Sequence, residues 1–126
     1  MPNNKNLKPS KRSYDDLYLA EDFVAHQIHD AKHTLRSPEQ FPRQHERAKD
    51  QLRAYSFILN LLEEKERRMN SQLIVAKYGK ITNYAKHVGV AESYVHALIH
   101  DHISNPNNEL YKLVKAEIAE LKNNLE

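Results

Sequence analysis

The 126-residue chain has no cysteine, two glycines and five prolines. Without cysteine there is no disulfide framework, no thiolate zinc site and no cysteine nucleophile. So few glycines and prolines argue against turn-rich β structure and for helices. No run approaches the roughly eighteen apolar residues of a membrane-spanning helix, and the N-terminus lacks the apolar segment of a secretory signal. The sequence therefore predicts a cytoplasmic protein with no membrane partner. Also missing are a glycine-rich phosphate loop, an HExxH pair and a serine in a nucleophile elbow. No enzymatic activity and no cofactor are expected.

Charge of one sign is not in large excess either. The formal net charge is +2, too small by itself to argue for nucleic acid, so the distribution matters more than the sum. The first thirteen residues carry Lys5, Lys8, Lys11 and Arg12, no acid, and the breaks Pro2 and Pro9. Residues 1–13 are predicted to be a disordered basic arm. Such an arm either follows a DNA backbone or minor groove or serves only as a solubilising tail. From Ser71 onward six lysines meet six acids, so the second half is neutral.

What the chain does have is helical periodicity. From Tyr14 to Leu35 the residues Leu17, Val24, Ile28, Ala31 and Leu35 recur at helical spacing, with Ala20 beside them. Asp15 and Asp16 are expected in the first turn and Lys32 and Arg36 in the last, as the helix dipole favours. Asp22, His26, His29 and His33 share the opposite face. Three imidazoles in line are potential transition-metal ligands, but one straight helix does not close a coordination shell. The reading is a solvated histidine-rich face, with no metal site predicted. Ser37-Pro38-Glu39-Gln40 reads as a capping box with proline at the first helical position. Because Pro42 follows closely, this is expected to be an isolated turn.

From Arg43 to Met69 there is no proline or glycine. Ala48, Leu52, Tyr55, Leu59, Leu62, Glu66 and Met69 alternate steps of four and three, while Phe57 and Leu61 lie on the other side. A helix apolar on both sides must be covered on both, and the Tyr14–Leu35 helix covers one. Residues 14–69 are therefore predicted to be a helical hairpin or long-helix element that makes a homodimer, with Leu52, Tyr55, Phe57, Leu59 and Leu61 as dimerisation residues. The charge run Glu63–Arg68 reads as a solvated helix segment. Near Asn70-Ser71 two readings stand open: a linker, or a helix running on into Leu73. A helix over Ser71–Tyr78, ended by Gly79, opens the second domain, residues 70–126.

That domain is organised around Ile81–His100, ITNYAKHVGVAESYVHALIH, which has the layout of a helix-turn-helix. Ala85 stands where two helices must approach closely, and Gly89 sits at the turn, where a left-handed backbone is needed. Val88, Val90, Val95 and Leu98 are the apolar contacts, and Tyr84 fills the inward position before Ala85. Pro106 and the asparagines of residues 101–108 read as a loop ending in an N-cap. Leu110, Val114, Ile118, Leu121 and Leu125 form the stripe of a closing helix, and no alternating run suggests a β-wing.

In Ala85-Lys86, Gly89-Val90, Ser93 and Ala97-Leu98-Ile99-His100, residues 71–126 resemble the phage Cro and cI type of helix-turn-helix repressor. Relative to that pattern the link from Gly79 to Ala85 is about one residue longer. The resemblance implies an all-α fold and a sequence-specific transcriptional regulator of phage or mobile-element type. Its partner would be double-stranded DNA, read in the major groove by a helix at about 91–101. Ala91, Glu92, Ser93, His96, Ala97 and His100 would face base edges. Lys77, Lys80, Thr82, Asn83, Tyr84, Lys86 and Tyr94 would contact phosphates. The alternative is a helix-turn-helix reused to bind a protein partner, as an antirepressor or adaptor. It is favoured by the absence of Lys and Arg from Ala91–Ile99. The patch His100-Asp101-His102 reads as a polar helix end.

Overall fold

The computed structural model describes residues 8–37, 42–100 and 108–126. They form five helices: α1 (Lys11–Arg36), α2 (Pro42–Tyr78), α3 (Ile81–Val88), α4 (Glu92–Ile99) and α5 (Glu109–Asn123). No strand occurs among the described residues, so the fold is all-α, as the composition implied. None of the described helices is long and apolar enough to cross a membrane. The chain divides into two compact units. One is Asp15–Lys65; the other is Glu66–Glu126 together with residues 8–14.

α1 starts at Lys11, three residues before the expected Tyr14. The cause is local: Ser13 donates its backbone N–H to Ser10 Oγ at 3.1 Å, and Ser10 returns its own N–H to Ser13 Oγ at 3.1 Å. This is a reciprocal box with serine in place of the usual acid. The residues 11–13 assigned to a disordered arm are therefore helical. The early start also removes the dipole argument for Asp15 and Asp16, because the first turn holds no acid. In the last turn, His33 and Arg36 do complement the dipole.

In the unit Asp15–Lys65, Leu17, Val24 and Ala31 are buried on α1 at steps of seven, and Ala48 is buried on α2. Leu52, Tyr55, Leu59 and Leu62 continue the α2 stripe half-buried. Pro42 opens α2 at a position where its missing N–H costs nothing. The expected isolated turn at 37–40 falls largely on residues 38–41, outside those described.

The helix does not stop at Asn70-Ser71. Met69, Leu73 and Ile74 carry its buried stripe onward, and Asn70 is itself buried, its Oδ1 accepting the Tyr14 hydroxyl at 2.8 Å. Glu66, the one charge in the stripe, meets Lys122 Nζ at 3.4 Å. α2 ends where Gly79 turns left-handed, at φ 86°, with its N–H bonded to the Val75 carbonyl at 2.7 Å. The core of this second unit is Ile74, Tyr84, Ala85, Val95, Leu98, Ile99, Val114 and Ile118. Each of its large side chains contributes about 1.5–3 kcal/mol of transfer energy. Asn108 caps α5, its side chain accepting from the N–H groups of Leu110 and Tyr111. Val114 and Ile118 face the core, whereas Leu125 lies just beyond the helix.

Candidate nucleic-acid interface

α3 and α4 are eight residues each, too short to hold together alone, and their packing sets their geometry. Gly89 follows α3 in the left-handed region, at φ 81° and ψ 32°. The Ala85 carbonyl accepts both the Gly89 N–H at 2.9 Å and the Val90 N–H at 3.0 Å, so the turn is closed onto the small residue that lets the helices meet. A Cβ on Gly89 would touch nothing within 4 Å. The glycine is thus required by backbone conformation and not by crowding.

α4 is sharply two-sided. Val95, Leu98 and Ile99 are fully buried, while Glu92, Ser93 and His96 are exposed, with Ala97 and His100 half-buried beside them. Ala91 is exposed at the N-cap and contributes no side-chain cap. Of the six residues expected to face base edges, side-chain geometry joins Glu92, His96 and His100, while Ser93 is exposed on the same helix and Ala91 precedes it. The helix itself is shorter than expected, Glu92–Ile99, with His100 as its C-cap.

That surface is internally connected. Thr82 Oγ1 donates to Glu92 Oε2 at 3.0 Å, Glu92 Oε1 lies 3.6 Å from His96 Nε2, and the His96 and His100 rings stack at 6.4 Å. Glu92 is thereby oriented from α3 and from the next turn of its own helix.

The residues expected to contact phosphates do not share one environment. Lys80 and Lys86 are exposed. Lys77 instead donates to Glu117 Oε1 at 3.0 Å. Asn83 Nδ2 donates to the Tyr78 carbonyl at 2.8 Å, closing the end of α2. The hydroxyl of Tyr94 accepts from Asn108 Nδ2 at 2.9 Å. Tyr84 is only 1% exposed, which places it in the core and out of reach of a phosphate. Its burial also pushes its hydroxyl pKa up to about 12.

A cluster missed in the sequence lies between α3 and α5. Tyr78, Tyr84, His87, Val88, Leu113, Ala116, Glu117 and Glu120 line a hollow of about 350 Å³. The Tyr78 ring packs at 4.8 Å from Tyr84 and 5.4 Å from His87, and its hydroxyl donates to Glu117. Burial opposes the charge on Glu117, but hydrogen bonds from Tyr78 and Lys77 outweigh it and hold the carboxyl below its ordinary value. The same hydrogen bond raises Lys77. Tyr78 is raised by burial first and by Glu117 second. The available signal was Glu117 itself, an acid set between Val114 and Leu121 on the apolar stripe of α5.

On α1, His26 Nδ1 donates to the Asp22 carbonyl at 2.9 Å. Among the described residues, no group of three or more His, Asp or Glu side chains is placed to hold a metal ion. Asp101 and His102 lie outside them. No protein-family model, curated protein or solved structure matches the chain.

Proposed function

We propose that residues 66–126 bind double-stranded DNA by setting α4 into the major groove, and that the protein is a sequence-specific transcriptional regulator of phage or mobile-element type. The observation carrying this reading is the division of α4. One face is fully buried and fixes the helix, while the other presents Ala91, Glu92, Ser93, His96, Ala97 and His100. Glu92 suits the amino group of a cytosine, His96 a purine edge, and Ala91 or Ala97 a thymine methyl. Its bond from Thr82 holds the Glu92 carboxylate before any base arrives. Lys80 and Lys86 supply the phosphate contacts, since Lys77 is engaged with Glu117.

Selection from random duplex DNA by gel shift, repeated at several salt concentrations, tests the reading. It should enrich one motif. With Lys80 and Lys86 of each motif on the backbone, a two-fold pair neutralises about four phosphates, for a log–log salt slope near −4. Failure to enrich any motif would refute it.

A second reading, a module that binds protein, is favoured by the charge of α4. The helix has no Lys or Arg, and its one acid, Glu92, in the first turn, faces outward. Under this reading the same selection returns random sequence.

A further inference from the structure

Within residues 15–65, the stripes that pack α1 and α2 are flanked by a second pair of apolar stripes in the open. On α1, Leu19 and Phe23 are 71% and 63% exposed; on α2, Ile58 and Leu61 are 40% and 48% exposed. Leu19, Phe23 and Ile58 line a groove of about 700 Å³, with Val24 and Leu62 among its walls. Leu61 follows one turn after Ile58 on the same flank. These residues therefore occupy one face of the helix pair.

The sequence continues that face in both directions. Asp16, Leu19, Phe23, Gln27 and Asp30 fall at steps of three, four, four and three, and Arg47, Asp50, Ala54, Ile58, Leu61 and Lys65 at steps of three, four, four, three and four. Each set is one flank of a helix. The α1 flank ends in acids and the α2 flank in bases.

We infer that two copies of the chain stack these faces, α1 of each protomer on α2 of the other, to form a four-helix bundle. A two-fold axis running along the helices makes this superposition. It sets the acidic ends of one stripe beside the basic ends of the other, so the ends of the face are complementary in charge to those of its copy. The area also matches. Side chains of this size, exposed to this degree, present on the order of 500 Å² of apolar surface. A standard interface takes about 800 Å² from each partner, of which roughly 60% is apolar.

The stacking also divides the expected dimerisation residues. Leu52, Tyr55 and Leu59 are half-buried on the stripe that carries buried Ala48 and belong to packing within the protomer. Leu61 belongs to the contact between protomers. Phe57, 65% exposed, lies on the outer edge.

The inference stands apart from DNA binding, and its test contains no DNA. Sedimentation equilibrium of the full chain should show a dimer at micromolar concentration. Phe23→Glu and Leu61→Glu, both at exposed positions, should keep their helix content and raise the dimer dissociation constant by about a hundredfold or more. Ala25→Glu, exposed on the opposite flank of α1, should leave it unchanged. Because the chain has no cysteine, oxidising a mixture of Phe23→Cys and Leu61→Cys should give a mixed disulfide dimer in preference to either pure one. A monomeric full chain, whatever other protein it captures, would overturn the inference. So would a dimer that survives both glutamate variants or a mixture that fails to cross-link.

Discussion

Replacing Tyr14 by Phe isolates one buried hydrogen bond. The hydroxyl donates to Asn70 Oδ1 at 2.8 Å, and the two residues are 3% and 4% exposed. Phenylalanine keeps the ring over which Lys122 Nζ sits at 5.1 Å, so the change removes the donor without removing the packing. Losing one partner of a buried pair costs about 1–3 kcal/mol, because the other must stay desolvated without it. Asn70→Leu should cost a similar amount for the converse reason. The double variant should cost less than the sum, with about 1–2 kcal/mol of coupling, since it leaves neither group stranded. Urea unfolding followed by circular dichroism, at one fixed protein concentration, would measure all three. The midpoint should fall and the slope hold. A Tyr14→Phe variant within about 0.5 kcal/mol of the parent, or strict additivity in the double variant, would show that the bond does not carry the attachment of the α1 start to α2.

Gly89→Ala should lose about 1–2 kcal/mol, the cost of a left-handed backbone for an L-residue. The open space around its Cβ position adds nothing, and Gly89→Asn should lose less; denaturation curves check both. Glu117 gives a pH dependence of definite sign. Its carboxyl is held below the ordinary value of 4.5, so the stability it contributes is present above that pH and is lost as the pH falls through the lowered value. Acid titration of Glu117→Gln should therefore show a flatter stability profile below about pH 5 than the parent. For the proposed reading helix, Glu92→Gln should shift preference at one base pair, at a cost of about 1–3 kcal/mol on the original site. Lys86→Ala should weaken all sites alike. Uniformly tighter binding by Glu92→Gln would mean that the carboxylate only repels phosphate.

Features governed by neighbours in the chain were legible in the sequence. The stripes of α1, α2 and α5, the stops at Gly79 and Gly89, the Asn108 cap and the outward face of α4 all follow from spacing and from single-residue backbone preference. The start of α1 was local too, but its box uses serine at both ends and lacks the acid that usually marks one. What could not be read depends on residues far apart. At Asn70-Ser71 a linker and a continuous helix read alike until Tyr14, 56 residues away, is seen to donate to the Asn70 side-chain carbonyl. Lys77 looks like a free cation until Glu117, 40 residues on, accepts its proton donors. Tyr84 was given both an inward position and a phosphate, and burial leaves it only the first.

The two-sidedness of α4 bears on how readily the protein can change. Val95, Leu98 and Ile99 hold the helix in the core, while Ser93, His96 and Ala97 make no contribution to that core. Substituting the latter should cost little stability, as surface changes usually do. Under the proposed reading, the target of α4 can therefore be rewritten one residue at a time without crossing an unfolded intermediate. Glu92 is the exception, because Thr82 on α3 is tied to it and the two would have to change together. A library varied at Ser93, His96 and Ala97 should remain folded almost throughout, and new specificities should be found there first.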